Sequence, residues 1–491
     1  MWTKAFLLIA LPLSGLYALH ASQGGGEDLF GTTELDRVVA APCEGVCCAP
    51  DDLDAAGPPV VFGARLGQGV LAPGRVQDVY LVFDLQAAKP DTLPPRPALN
   101  MALVLDRSGS MSDAGKLDYA KLAAVDVAEG LMAGDRLAVI AYDTDVQVVW
   151  PSSAIEDVAP SGAVGMSELV SRVHALTPGS STNLHGGLLG GGQQVLQHAG
   201  AERMNQVLLL SDGLANVGLS TAGELGTEAR KARELGIQIS TVGLGLQYDE
   251  ELMAAVATEG GGRYAYVRDA EHLSSFVKAE LDHASRIVAR DVELSFALGD
   301  GVQVTEVFGS PVHVEGGEVR IPLEDLVAGE TRQVLVELSV RTSSGAAEGA
   351  QLSLLEDIEL GYTARTDAES GARAQIALPP RTVTLSSDAE VRIASQDRAV
   401  RAKLEVVRAA LFMEASIAQR ATGDWKGAAE RLAEHAAEAR RLNDQVLGCS
   451  EVEQVIGWME RRSVDMLTAA GDWASGRDVD LRSGLESFGY M

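Results

Sequence analysis

Between residues 97 and 288, short apolar runs of β type alternate with stretches of helical spacing, and few architectures accept that alternation. Leu103-Val104-Leu105 and Val207-Leu208-Leu209-Leu210 are continuously apolar, as strands covered on both faces are. Between them, residues 114 to 132 place Leu117, Ala120, Leu122, Ala124, Val125, Val127, Ala128 and Leu131 at helical spacing, and Gly134-Asp135 ends the stretch. Leu137–Tyr142 and Val146–Trp150 flank the turn-forming Asp143-Thr144-Asp145 and read as a hairpin. Further helices are expected at about 164–177, 184–198, 222–235, 249–258 and 270–288, with strands at 205–211, 237–242 and 263–267. The series predicts an α/β fold, a doubly wound and mostly parallel sheet. The strand ending near Leu105 and the one ending near Leu210 should be neighbours where strand order reverses, so their carboxyl-end loops meet.

Those loops carry the chemistry. Asp106-Arg107-Ser108-Gly109-Ser110 follows the first apolar run directly, Ser180-Ser181-Thr182-Asn183 precedes a Gly-rich helical stretch, and Ser211-Asp212-Gly213 follows the later run. Carboxylates and hydroxyls are hard oxygen donors suited to a hard divalent cation, and Gly109 lets the first loop turn sharply. Taken singly, such segments also cap helices and make turns. Together, in this order and over roughly residues 97 to 286, they resemble the von Willebrand factor type A (VWA) domain with its metal-ion-dependent adhesion site, written D-x-S-x-S, then Thr, then Asp. The resemblance implies a metal site of Asp106, Ser108, Ser110, Thr182 and Asp212, with Mg²⁺ as the expected ion and Mn²⁺ or Ca²⁺ as alternatives. It also implies that the hydroxyls ligate directly in the liganded state while one or both aspartates act through water. With two carboxylates and three neutral donors the ion stays electrophilic and open to a carboxylate from a partner.

Other polar groups in the same region carry less. Asp143 and Asp145 suit a hairpin turn better than a second cation, and His185 is too soft a donor for an oxygen site and reads as a rim residue. The glycines at 186, 187, 190, 191 and 192 lack the Lys and Ser/Thr of a phosphate loop and suggest close helix-to-sheet packing. No G-x-S-x-G elbow or H-E-x-x-H pattern is present, so catalysis is not expected.

The chain has 40 Lys and Arg against 69 Asp and Glu, a formal charge of −29. That balance argues against nucleic acid and anionic membrane surfaces, which bind through cationic side chains. Lys4 and the apolar stretch from Ala5 to Leu19 read as a signal peptide or an uncleaved anchor within residues 1–22, placing the protein outside the cytoplasm in the periplasm, at the cell surface or secreted. Any membrane tether would run through that segment alone. Residues 23–58 read as a flexible linker containing Cys43, Cys47 and Cys48; with Cys449 these allow two disulfides in three connectivities.

Residues 59–96 and 289–386 hold short segments of alternating polarity around the α/β region, at Val60–Phe62, Val76–Leu85, Val292–Leu298, Val302–Phe308, Val319–Pro322, Thr331–Val340, Leu352–Tyr362 and Ala374–Leu385. They predict one β-sandwich interrupted by the metal-binding domain, an arrangement similar to the hybrid and I-like domains of integrin β-subunits. Residues 387–470 turn helical, with a Gly-Asp-Trp turn at 423–425 that resembles a tetratricopeptide-type hairpin, and 471–491 read as a weakly ordered tail. The functional expectation is an exported, divalent-metal-dependent protein that captures a protein partner presenting Asp or Glu. The alternative implied by other proteins with this domain is an adaptor or regulatory subunit of an ATPase, chelatase or channel-type complex.

Overall fold

The structure, a computed structural model, describes residues 55–57, 59–90, 96–155, 164–200, 203–244, 249–267, 273–365, 373–421 and 424–474. The expected signal segment, most of the linker with Cys43, Cys47 and Cys48, and residues 475–491 of the expected tail lie outside them.

Four strands come first: β1 (Ala55–Gly57), β2 (Val60–Leu66), β3 (Val70–Leu71) and β4 (Val76–Ala87). The α/β domain follows with β5 (Ala98–Asp106), β6 (Arg136–Tyr142), β7 (Val146–Ala154), β8 (Arg203–Ser211), β9 (Ile237–Leu244) and β10 (Gly261–Val267). Its helices are α1 (Lys116–Gly130), α2 (Val164–His174), α3 (Leu184–Leu196), α4 (Ala222–Glu234), α5 (Glu250–Glu259) and α6 (Leu273–Arg286). The six strands form one sheet in the order β10-β9-β8-β5-β6-β7, all parallel except β7. Strand order reverses between β5 and β8, which pair in parallel with Leu105 opposite Leu210. Every residue of β5 from Leu99 to Asp106 is buried. Alternate side chains serve two cores: Leu99, Met101, Leu103 and Leu105 pack on the α1 side, and Ala102 and Val104 on the α3 side. That double coverage is why the strand carries no polar alternation.

Helix starts reflect local chemistry. Thr221 accepts from the Glu224 amide at the head of α4, Asp249 from the Leu252 amide at α5, and Asn183 from the Gly186 amide at α3.

Beyond α6 the chain enters β11 (Ile287–Leu298) without a loop and continues through β12 (Val302–Val307), β13 (His313–Glu315), β14 (Glu318–Pro322), β15 (Leu326–Val327), β16 (Thr331–Arg341), β17 (Gln351–Ala364), β18 (Arg373–Leu378) and β19 (Arg381–Leu385). One sheet runs β1-β2-β4-β16-β12; the other runs β13-β14-β11-β17-β19-β3, with β15 on β11 and β18 on β17. β4 pairs with β16 from Gln86 opposite Thr331 to Val76 opposite Arg341, so strands from before the α/β domain and after it share a sheet. The two sheets pack face to face, with Phe83 of one stacked on Phe296 of the other at 5.6 Å between ring centres. The expected single segment Ala374–Leu385 is instead two strands, because Pro379 and Pro380 supply no amide to a ladder.

The helical region comprises α7 (Ala389–Ala394), α8 (Arg398–Ala421), α9 (Trp425–Leu442) and α10 (Ser450–Ala474). α10 runs past the expected limit at 470. α8 is not a separate appendage: Val400, Leu404 and Val407 pack on Val82 and Leu335, covering the outer face of the five-stranded sheet. No described helix is long and apolar enough to cross a membrane. The α/β domain is fastened to the sandwich by arginines that donate to main-chain carbonyls. Arg233 reaches Leu323 at 3.0 Å, Arg290 reaches Arg203 at 3.0 Å, and Arg365 reaches Ser285 at 2.7 Å.

Candidate metal centre

Asp106 ends β5 and Asp212 comes directly after β8, so pairing of these strands sets the two carboxylates side by side at the carboxyl edge of the sheet. Both are fully buried. Asp106 Oδ1 accepts from the Ser108 amide at 2.7 Å, and Oδ2 accepts from the Ser211 hydroxyl at 2.7 Å. Asp212 Oδ1 accepts from the Ser110 hydroxyl at 2.7 Å, and Oδ2 faces Lys116 Nζ at 2.7 Å. Burial, with the neighbouring Asp212 charge a smaller contribution, outweighs the hydrogen bonds from Ser211 and Ser108 and pushes the Asp106 carboxyl up to about 6.

The hydroxyls arrive from two further directions. Ser108 and Ser110 stand on the short 3₁₀ stretch at 109–115 and its leading residue, with their oxygens 3.2 Å apart. Thr182 belongs to a loop tied to the first by backbone bonds from Gly109 to the Ser180 carbonyl and from Gly179 to the Arg107 carbonyl. Its amide donates to the Asn216 side chain at 2.9 Å, which joins it to the loop behind Asp212. Gly213 shows how closely the three loops converge: a Cβ there would lie 3.3 Å from Thr182 Oγ1, 3.4 Å from Ser110 Oγ and 3.8 Å from Ser108 Oγ. Three hydroxyls around one small space, with two carboxylates beside them, form an all-oxygen donor set that fits Mg²⁺, Mn²⁺ or Ca²⁺ better than a softer metal. Among the described residues no three His, Cys, Asp or Glu side chains gather to hold an ion, here or elsewhere, so this place offers two carboxylates and hydroxyls only.

All five residues singled out in the sequence therefore meet in one place. Asp143 is otherwise engaged: Oδ2 pairs with the Arg107 guanidinium at 3.1 Å and Oδ1 accepts from the Asp145 amide at 3.0 Å, so it makes the turn. His185 stands against Gly218, in the loop beyond Asp212. Cys449 is buried in the helical region. Ser211 and Gly213 were read in advance only as the neighbours of Asp212, and Lys116 and Asn216 not at all. Each acts on a loop distant in sequence, and only Lys116, a cation at the head of a helix, is chemically out of place there.

Residues 100–279 match the family model for the von Willebrand factor type A domain. The chain contains a VWA domain. The uncharacterized protein YfbK of Escherichia coli is 28% identical over 236 residues, 48% of this chain and 39% of that protein. Inter-alpha-trypsin inhibitor heavy chain H3 of Mesocricetus auratus is 28% identical over 196 residues, 39% of this chain and 21% of that protein. The chain thus spans well under half of either relative. Among solved structures, a von Willebrand factor type A protein from Catenulispora acidiphila matches at TM-score 0.60 and 17% identity, covering 78% of this chain and 87% of that one. The ArnB paralog VWA2 from Sulfolobus acidocaldarius matches at TM-score 0.55 and 16% identity, covering 83% and 96%. Both likenesses reach beyond the VWA domain, so they concern the fold of the flanking parts as well.

Proposed function

We propose that this chain is an exported, non-enzymatic protein that captures a protein partner through a divalent ion held by Asp106, Ser108, Ser110, Thr182 and Asp212. VWA domains commonly mediate protein–protein interaction. The convergence of three hydroxyls and two buried carboxylates at the strand-order reversal is the observation that carries the metal-dependent reading. When bound, the ion, best taken as Mg²⁺, supplies a Lewis-acidic position open to an Asp or Glu of the partner. The chain's own part is to fix the donors. The Asp106 carboxylate is aimed by Ser108 and Ser211, Asp212 by Ser110, and Thr182 by Asn216. Net charge of −29 would repel an acidic partner elsewhere, which concentrates recognition at the cation. Export rests on the apolar segment behind Lys4.

Calorimetric titration of the full chain with MgCl₂ and MnCl₂ tests the reading. Wild type should bind one ion, and Asp106→Ala and Asp212→Ala should each lose at least about 100-fold in affinity, since each removes one of only two charged donors. Unchanged affinity in both variants would remove the metal centre from these residues.

A further inference from the structure

Lys116 is the first residue of α1, directly behind the left-handed Gly115 at φ 70°. A cation in the first helical turn opposes the helix dipole, so local energetics disfavour it there. What holds it is Asp212: Nζ lies 2.7 Å from Oδ2, with the lysine side chain 15% exposed and the carboxylate wholly buried. The acid in the first turn itself, Asp118, faces Lys121 at 3.2 Å. Asp212 Oδ1 is already taken by Ser110, so Lys116 and the Ser110 hydroxyl together complete the carboxylate. A cation placed against one of the centre's two charged donors opposes a second cation entering the same space.

We propose that Lys116 is a built-in counter-cation of the metal centre, which holds Asp212 in the metal-free protein and sets the affinity for the divalent ion below what the two carboxylates would otherwise give. The inference rests on the metal-centre reading above and assigns a role to a residue that donates nothing to the ion. Removing the charge should strengthen metal binding, whereas losing a donor or loosening the site would weaken it. The same removal leaves a buried carboxylate without its counter-charge in the metal-free chain, so stability without metal should fall and recover when the ion is supplied.

The experiment compares full-length wild type, Lys116→Met, Lys116→Gln and Lys116→Arg by Mn²⁺ calorimetry and by thermal melting in EDTA and in MnCl₂. Lys116→Met and Lys116→Gln should bind Mn²⁺ about tenfold tighter than wild type, and Lys116→Arg, which keeps the charge, within about threefold of it. Both neutral variants should melt below wild type in EDTA and regain the difference in MnCl₂. Lys116→Gln retains a hydrogen-bond donor toward Asp212, so the charge is tested even where Lys116→Met fails to fold. Neutral variants that bind no tighter than wild type would overturn the inference and leave the metal centre standing. Wild type that binds no Mn²⁺ would overturn the metal centre and this inference with it.

Discussion

Asp106 is a buried carboxylate whose hydrogen-bond partners, the Ser108 amide and the Ser211 hydroxyl, carry no charge. Its carboxyl stands at about 6 rather than the usual 3.8, chiefly because burial disfavours the charged form. A folded-state value above the unfolded one favours the protonated form in the native protein. The resulting stability is fully present below about pH 4 and is lost as pH rises through about 6. Without metal, Asp106→Asn should therefore match wild type near pH 4 and exceed it by roughly 3 kcal/mol at pH 8, for a shift of about two units. With metal the sign reverses, because the ion takes the ionised carboxylate: affinity should be flat above about pH 7 and fall about tenfold per unit below 6. Urea unfolding in EDTA and Mn²⁺ titration across pH 5 to 8 measure the two halves. Metal affinity that does not change across that range would show that Asp106 is ionised before the ion arrives. That Asp106, Ser108, Ser110, Thr182 and Asp212 converge was legible in the sequence because each stands in a short polar loop, two of these loops directly behind an apolar strand. Lys116 was not, since its significance depends on Asp212, almost a hundred positions away, arriving beside it.

α3 shows where intrinsic propensity misleads at the scale of an element. Five glycines in Leu184–Leu196 argue against a helix, yet most of them are there because the sheet is so near. A methyl group at Gly187 would sit 2.6 Å from the Tyr142 ring, and one at Gly191 would sit 2.6 Å from Val104 Cγ2; at Gly192 nothing lies within 4 Å. The same substitution should therefore have opposite signs along one helix. Gly192→Ala should stabilise by roughly 0.5–1 kcal/mol through helix propensity alone. Gly187→Ala and Gly191→Ala should lose roughly 1–3 kcal/mol, because the helix must lift off the sheet. Lifting α3 also displaces Asn183, whose side chain caps that helix one residue after Thr182, so Gly187→Ala should weaken metal binding too. Thermal melts and Mn²⁺ titration of the three variants check the order; a stabilised Gly187→Ala would mean that the close approach is not there. The glycine spacing made tight packing legible in the sequence. Strands as short as β3 and β15 were missed because two residues carry no measurable period.

At the scale of the whole molecule, β4 is the element on which the sandwich and the helical region both depend. Its run Tyr80-Leu81-Val82-Phe83 is apolar without a break, and the two sides have different owners: Leu81 and Phe83 belong to the core between the sheets, while Tyr80 and Val82 lie under α8. Arg408 of α8 adds a contact over the Tyr80 ring at 5.7 Å, and the Tyr80 hydroxyl donates to Glu337 at 2.8 Å. The interrupted sandwich was legible because the flanking segments share one style. The docking of α8 was legible in principle, since a continuous apolar run marks a strand covered on both faces, but the sequence does not say which helix covers it. One of the VWA domain's two cores also takes in Ile287 of β11 and Val327 of β15, and arginine-to-carbonyl bonds add further ties to the sandwich, but β4 contributes to neither core, so damage to β4 should stay on one side of the molecule. Phe83→Ala removes a fully buried ring stacked between Phe62 and Phe296 and should cost about 3–5 kcal/mol. Single-tryptophan chains separate the regions, with Trp150 reporting the VWA domain and Trp458 of α10 the helical part. In urea, Phe83→Ala should lower the Trp458 midpoint, leave the Trp150 midpoint within error, and leave Mn²⁺ affinity unchanged. Equal shifts at both reporters would mean that the sandwich and the VWA domain unfold as one cooperative unit, and that the metal centre draws stability from the whole chain.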